Sequence, residues 1–228
     1  MSHIQHHQPK HNRVMFLRNV GLLLLGQVAV ASSLSVTSPP RVLPRASNIN
    51  ITSVATQGNG CPLGSISTSI SPDGTTLTFG FDEFKAYYGP GYTPADKSKQ
   101  CTIAMAVSYR SGQPFELLGA TYRGPAQLGS GVTGTIYSSY VLTPASDAVA
   151  STQVNSTGPF MGVYTKSDTI AKSSRMLAPC QGTQVQLQIN TRVSVTSRNA
   201  SFSGGFDDEA PFSLGIHQLH LGWSQCGG

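Results

Sequence analysis

Charged residues are scarce in this sequence. They make up 11% of the 228 residues, against about 25% in an average soluble protein. Helix-favouring runs of Glu, Lys and Arg are missing, and no window after residue 31 keeps an apolar stripe at helical spacing. These absences argue against a coiled coil, a helical bundle and an acidic disordered tail.

Motifs that carry enzyme chemistry are also missing. The chain has no Gly-x-Ser-x-Gly elbow, no phosphate-binding loop and no Cys-x-x-Cys spacing. Beyond residue 31 the only histidines are His217 and His220, and residues three apart on a strand point to opposite faces. We therefore expect no catalytic residue, no metal and no cofactor.

The acidic residues do not form an evident catalytic pair. A glycosidase needs two carboxylates that flank one bond, but Asp82 and Glu83 are adjacent and would face opposite sides of a strand. Nothing in the sequence selects Glu116 or Asp168 as a partner. The run Asp207-Asp208-Glu209 lacks the spacing of a calcium loop, and we interpret it as a solvated loop.

The N-terminus has the pattern of a secretory signal peptide. Basic residues precede an apolar, Leu-rich run at 20–30, which ends in Ala29-Val30-Ala31 before Ser32. A run of about 11 residues is too short for a membrane span, which needs roughly 20. We predict a signal peptide at 1–31 and no membrane span after processing; translation starts at Met1 or Met15.

The basic net charge of +5 belongs to the N-terminal part. Five of the 15 basic residues precede residue 46, and all 10 acidic residues follow it. Residues 32–48 are Pro-rich and are predicted to be a linker or pro-segment, followed by one secreted β-domain at 49–228. No basic cluster remains for nucleic acid, so no nucleic-acid partner is expected.

Cysteines and sequons indicate the secretory compartment. All four cysteines follow the signal peptide, and an even number in a secreted chain predicts two disulfides. Of three pairings we favour Cys61–Cys101 and Cys180–Cys226, which close loops of about 40–46 residues, corresponding to about 4 kcal/mol each. Three Asn-x-Ser/Thr sequons predict N-glycosylation at Asn50, Asn155 and Asn199.

Apolar and polar residues alternate along most of the chain after residue 48. The longest example is 184–195, where Val185, Leu187, Ile189, Val193 and Val195 share one face. Ser71-Pro72-Asp73-Gly74 predicts a hairpin turn. In the last strand candidate the apolar positions change from even-numbered to odd-numbered residues, which predicts a β-bulge near His217-Gln218. About nine or ten strands predict an all-β fold: a single antiparallel β-sandwich or, alternatively, a β-barrel.

Tyrosines surround the Gly89-Pro90-Gly91 segment. Tyr87, Tyr88 and Tyr92 are candidate ligand-contacting aromatics, because exposed rings beside a loop on a β-scaffold can stack on sugars or pack on a protein. The alternative interpretation is that these rings cover the end of the sandwich.

An ordered set of short motifs resembles fungal secreted proteins of the family called domain of unknown function 4360. The resemblance covers about 49–226 and implies a secreted, disulfide-bonded β-protein. It implies no particular activity, because the family has no established one. Its motifs are Gly58-Asn59-Gly60-Cys61-Pro62-Leu63-Gly64-Ser65, Phe81-Asp82-Glu83-Phe84, Gly89-Pro90-Gly91, Ser98-Lys99-Gln100-Cys101, Tyr122-Arg123-Gly124, Gly158-Pro159, Pro179-Cys180, Asn190-Thr191 and Leu221-Gly222-Trp223-Ser224-Gln225-Cys226.

Three functions stay open at this point. The first is a non-catalytic extracellular protein that binds a cell-wall polysaccharide or another extracellular protein, and the shortage of His and of acidic clusters favours it. The second is a secreted enzyme that acts on polysaccharide. The third is a carrier that holds a small ligand inside a barrel.

Overall fold

Strands account for nearly all the regular structure. The computed structural model describes residues 49–144, 149–198 and 210–226. The predictions for 1–48, Asn199 and the acidic run 207–209 lie outside these residues. The elements are β1 (Asn50–Gln57), β2 (Ile66–Ile70), β3 (Thr76–Phe81), β4 (Lys85–Tyr88), β5 (Ser98–Ser108), β6 (Phe115–Leu128), β7 (Val132–Thr143), β8 (Ala150–Thr157), β9 (Phe160–Thr169), a 3-10 segment (Lys172–Ser174), β10 (Gln184–Ser197), β11 (Ala210–Ser213) and β12 (Ile216–Trp223).

These strands form two antiparallel sheets that enclose one hydrophobic core. The five-stranded sheet has the order β1-β5-β10-β7-β8, and the seven-stranded sheet has the order β2-β3-β12-β6-β11-β4, with β9 also paired to β6. Within the described ranges the two sheets stay separate, so the predicted β-sandwich is confirmed over the alternative of a closed barrel. The described part of the chain includes no helix long and apolar enough to cross a membrane.

The alternation predicted for β10 is confirmed. Every member of the inward apolar row is at most 2% exposed, while Gln186, Gln188 and Arg192 are exposed. Thr191 is the one polar residue in the inward row, and its hydroxyl lies 2.9 Å from that of Ser138 on β7. This hydrogen bond explains how a threonine is tolerated there, since a buried polar group is costly only when it lacks a partner.

The hairpin between β2 and β3 also forms as predicted. The backbone N–H of Gly74 donates to the carbonyl of Ser71 at 2.8 Å. Asp73 accepts hydrogen bonds from the Ser71 hydroxyl at 2.6 Å and from the Thr75 hydroxyl at 2.9 Å. These bonds hold the pKa of Asp73 below its ordinary value, with the Ser71 contact as the largest cause.

The predicted bulge near His217-Gln218 is wrong. The chain instead breaks at Leu214-Gly215, between β11 and β12, and an irregularity follows between His220 and Leu221. The N–H of Leu214 donates to the carbonyl of Phe84. This hydrogen bond attaches the interruption to the segment between β3 and β4. From His217 onward, every second residue of β12 faces the core.

Both predicted disulfides are confirmed. The Cα atoms are 5.4 Å apart in Cys61–Cys101 and 5.9 Å apart in Cys180–Cys226, within the usual range for a disulfide. The first bridge joins the segment after β1 to β5, and the second joins the segment before β10 to the segment after β12. No described cysteine is free.

Candidate functional site

The outer side of the five-stranded sheet carries a polar depression. It lies across three neighbouring strands and has a volume of about 380 Å³. We call its side chains the polar face, defined by the outward residues of β5, β10 and β7. They are Gln100, Thr102, Asn190, Arg192, Tyr137 and Ser139.

Strand register brings these residues together in two rows. Arg192 is paired with Gln100 on one side and with Tyr137 on the other, and Asn190 is paired with Thr102 and Ser139 in the same way. Directly opposite residues in antiparallel strands have Cβ atoms about 4.5–5.5 Å apart. Side chains that are far apart in the sequence therefore form one continuous surface.

Asn190 is held in one orientation by its neighbours. Its Oδ1 accepts a hydrogen bond from the Thr102 hydroxyl at 3.0 Å and another from Nε2 of Gln188 at 3.2 Å. The amide nitrogen is consequently turned away from these two partners. The face thus presents a pre-oriented donor two residues from Arg192, on the same outward side of β10.

The polar face combines one aromatic ring and one guanidinium with uncharged polar groups. Tyr137 is 36% exposed, which is high for a large aromatic side chain, and it lies directly opposite Arg192. Arg192 is the one charged side chain among the described residues that line the depression, and no carboxylate lines it. The arrangement can bind through stacking and hydrogen bonds, but its lining lacks the acid–base pair that hydrolysis requires.

The predicted tyrosines lie on and after β4, in the seven-stranded sheet. The rings of Tyr87 and Tyr92 stack with centroids 5.1 Å apart and planes at 11°. Nζ of Lys97 lies 5.0 Å from the centre of the Tyr88 ring. All three tyrosines are half-buried, and ligand contact by these rings stays a prediction.

Two of the acidic residues considered in the sequence, Glu116 and Asp168, have structural contacts. Glu116 pairs with Arg175 at 3.6 Å. Asp168 accepts hydrogen bonds from the backbone N–H groups of Gln153 and Thr169 at 2.8 and 2.9 Å. Asp82 and Glu83 are exposed in the turn between β3 and β4.

A buried polar cluster connects the two sheets, and the sequence analysis did not find it. The Tyr140 hydroxyl on β7 lies 3.1 Å from that of Tyr122 on β6, 2.8 Å from that of Thr152 on β8 and 3.2 Å from Nε2 of His217 on β12. The four residues are at most 2% exposed. The one sequence feature that could have indicated the cluster is Thr152, a polar residue in a segment of small side chains.

The cluster is uncharged at neutral pH. Burial, with a smaller contribution from His220, lowers the pKa of His217 to about 3. Burial raises the pKa of Tyr140 well above its ordinary value. Nδ1 of His217 has no hydrogen-bond partner among the described residues. The cluster is closed to a ligand and acts as a polar link between the sheets.

His217 and His220 point to opposite faces, as predicted. His217 is fully buried, whereas His220 is partly exposed and its Nε2 lies 2.8 Å from the Thr121 hydroxyl. The described residues contain no group of three or more His, Cys, Asp or Glu side chains that could hold a metal ion.

Comparison with known proteins now places the chain in a family. The model of the domain of unknown function DUF4360 matches residues 47–226. The protein belongs to the DUF4360 family. An "Uncharacterized secreted protein" of Arthroderma benhamiae is 30% identical over 183 residues, covering 80% of this chain and 74% of the relative. The DUF4360 protein is accordingly secreted, which agrees with its two disulfides.

Two solved structures have some similarity to this DUF4360 protein. TmCBM61 in complex with β-1,4-galactotriose matches with a TM-score of 0.29 and 9% identity, covering 77% of this chain and 90% of that one. The enzymatically active domain of bacteriophage CBA120 tailspike protein 4 matches with a TM-score of 0.22 and 11% identity, covering 80% and 20%. Both TM-scores are low, so nothing about the site is inferred from either likeness.

Two of the three predicted glycosylation sites lie in the described part of the DUF4360 domain. Asn50 is the first residue of β1 and Asn155 lies within β8, and both side chains are exposed. Their positions meet the requirement that a glycan project into solvent. Modification of these residues stays a prediction.

Proposed function

We propose that this DUF4360 protein is an extracellular binding protein whose polar face binds an uncharged polysaccharide chain and does not cleave it. The observation that supports this most strongly is the depression across β5, β10 and β7, where Tyr137, Arg192 and Asn190 converge. A shallow site with convergent polar groups and an aromatic ring suits a ligand that is itself both apolar and polar.

A sugar ring has both the apolar and the polar surface that this site can bind. Its C–H face can pack on the ring of Tyr137, and its hydroxyl groups can pair with the amide of Asn190 and the guanidinium of Arg192. Arginine presents several donors in a fixed planar arrangement, which favours two hydrogen bonds to neighbouring oxygens. The hydrogen bonds that hold Asn190 reduce the entropy lost when a ligand binds.

The dimensions of the face suit an extended chain. Tyr137 on β7 and Gln100 on β5 are separated by β10, and neighbouring strands lie about 4.8 Å apart. The two side chains are thus roughly 10 Å apart across the sheet, which leaves space for more than one sugar ring.

The charge of the domain favours an uncharged polymer over a strongly acidic one. Residues 46–228 contain equal numbers of basic and acidic side chains. Recognition of a polyanion normally needs several Lys or Arg side chains on one surface, and Arg192 is the one cation in the described lining. A single guanidinium is sufficient to hydrogen-bond hydroxyl groups.

The experiment that tests this function compares binding and hydrolysis on the same polysaccharides. The secreted protein is applied to a glycan array and to insoluble wall polysaccharides, and released reducing ends are measured in parallel. We expect retention on an uncharged polysaccharide without release of reducing ends. Release of reducing ends, or retention only on acidic polymers, would contradict the proposal.

Variants of the face locate the binding site. Tyr137→Ala should weaken binding about tenfold or more, because truncating an aromatic anchor typically costs over 1.4 kcal/mol. Tyr137→Phe keeps the ring and should bind nearly as well as the parent. Gln186→Ala is the matched control, since Gln186 is an exposed amide on β10 outside the depression.

A further inference from the structure

Within the described residues, the two edges of the five-stranded sheet lack charged side chains and proline, two of the usual protections against pairing with another chain. One irregularity interrupts the pairing of β1 with β5, between Ile51 and Ser53. β1 and β8 are the outermost strands of this sheet. Each has eight residues, and neither contains a charged residue or a proline. Exposed edge strands of this kind present unpaired backbone groups, and natural proteins usually block them.

The seven-stranded sheet is different, because its edges are protected within the described residues. β2 has five residues and β4 has four, and short edges give little length for pairing. β9 is longer but contains Lys166 and Asp168, and charged side chains oppose edge-to-edge association. The edge strands of the five-stranded sheet, in contrast, have neither charge nor proline.

Each of these two edges contains a sequon. Asn50-Ile51-Thr52 begins β1, and Asn155-Ser156-Thr157 ends β8. Part of the β8 edge is already capped, since the carboxylate of Asp168 accepts the N–H of Gln153 at 2.8 Å. Asn155 lies two residues further along that same edge.

We propose that Asn50 and Asn155 carry N-linked glycans that cover the two edges of the five-stranded sheet and keep the secreted protein monomeric. A glycan is bulky and strongly hydrated, so it blocks the approach of a second strand where charge and proline are absent. This role is independent of the ligand that the polar face binds.

Occupancy is tested first, on the full chain secreted from a eukaryotic host. Peptides are digested with an N-glycosidase, which converts a glycosylated Asn to Asp, and are then analysed by mass spectrometry. We expect conversion at both Asn50 and Asn155. An unmodified residue at either position would overturn the proposal.

Edge protection is tested with matched variants. Thr52→Ala with Thr157→Ala removes both sequons, whereas Thr52→Ser with Thr157→Ser keeps both sequons and both hydroxyl groups. The hydroxyls matter because Thr52 donates to the carbonyl of Ala106 at 3.2 Å and Thr157 contacts Thr133 at 3.2 Å. Asn50→Gln with Asn155→Gln removes the glycans and leaves both threonines in place.

Size-exclusion chromatography at increasing protein concentration gives the decisive result. We expect the Ala pair and the Gln pair to lose the monomer peak to larger species, while the Ser pair and the parent stay monomeric. Enzymatic removal of glycans from the folded parent should have the same effect. A monomer that persists in the Gln pair at all concentrations would overturn the protective role.

Discussion

The hydroxyl of Tyr140 lies 3.2 Å from Nε2 of His217, within hydrogen-bond distance, and the two residues belong to different sheets. Both are fully buried. The contact adds a directional link between layers that pack mainly through apolar side chains. Buried polar networks of this kind disfavour alternative packing arrangements, since a shift of one sheet would leave several groups without partners.

Removing the Tyr140 hydroxyl should destabilise the protein. Tyr140→Phe removes one partner from Tyr122 and Thr152, which keep their contact with each other, and leaves Nε2 of His217 without a partner among the described residues. A buried polar group left unsatisfied costs about 1–3 kcal/mol. Tyr137→Phe, on the same strand but facing solvent, should change stability by less than about 0.5 kcal/mol. Urea unfolding of both variants beside the parent measures the difference; equal effects would show that the buried hydroxyl has no special role.

Stability should fall as the pH drops below about 6.5. The pKa of His217 is lowered to about 3 in the folded protein, whereas a histidine in the unfolded chain takes up a proton near pH 6.5. The unfolded state then binds more protons, so the stabilisation present above pH 6.5 is lost progressively as the pH falls towards 3. The expected loss between pH 7 and pH 5 is about 2 kcal/mol.

This pH range separates His217 from the carboxylates. Asp73 and Asp96 have pKa values below their ordinary 3.8, so their contributions are lost only at lower pH. His217→Phe should flatten the profile between pH 7 and 5, whatever its effect at pH 7. His220→Gln should keep most of the slope; a profile that is unchanged in His217→Phe would assign the slope to other groups.

The inward face of β10 gives a test of packing. Leu187 is fully buried, so Leu187→Ala should cost about 2–5 kcal/mol through lost burial and the cavity that remains. Gln188→Ala, one residue along, removes an exposed side chain and should cost less than about 0.5 kcal/mol. Comparable losses in denaturant unfolding would mean that both faces of the strand are buried.

Processing of the N-terminus tests the predicted domain boundaries. The apolar run that ends in Ala29-Val30-Ala31 leads us to expect a secreted protein that begins at or after Ser32. Sequencing of the N-terminus of the secreted chain gives the answer directly. Retention of residues 16–30 would overturn the signal-peptide prediction.

Several features of the fold could be predicted because local chemistry dictates them. The alternation in β10 identifies its buried face since a shift of one residue would expose the whole apolar row. The Ser71–Gly74 turn is specified by Asp73 and Gly74 together. The disulfides could be paired because near neighbours in the sequence close the shorter loops, and the structure brings both pairs within bonding distance.

Other features depend on tertiary context that the sequence does not display. β1 lies at an edge and is mostly exposed, and β8 directs Thr152 and Ser156 inward, so neither strand shows apolar alternation. The depression requires the register of β5, β10 and β7, which no single segment specifies. No local sequence feature therefore distinguishes Tyr137, whereas the tyrosines beside Gly89-Pro90-Gly91 cluster in the sequence itself.

The central claim is that the polar face binds the polysaccharide. NMR titration of the isotope-labelled protein with an oligosaccharide fragment of the bound polymer tests it most directly. We expect the largest shifts in the side-chain amides of Asn190 and Gln100 and in Nε of Arg192, with Gln186 unaffected. Shifts confined to Tyr87, Tyr88 and Tyr92 and their neighbours, with the polar face unchanged, would contradict the claim.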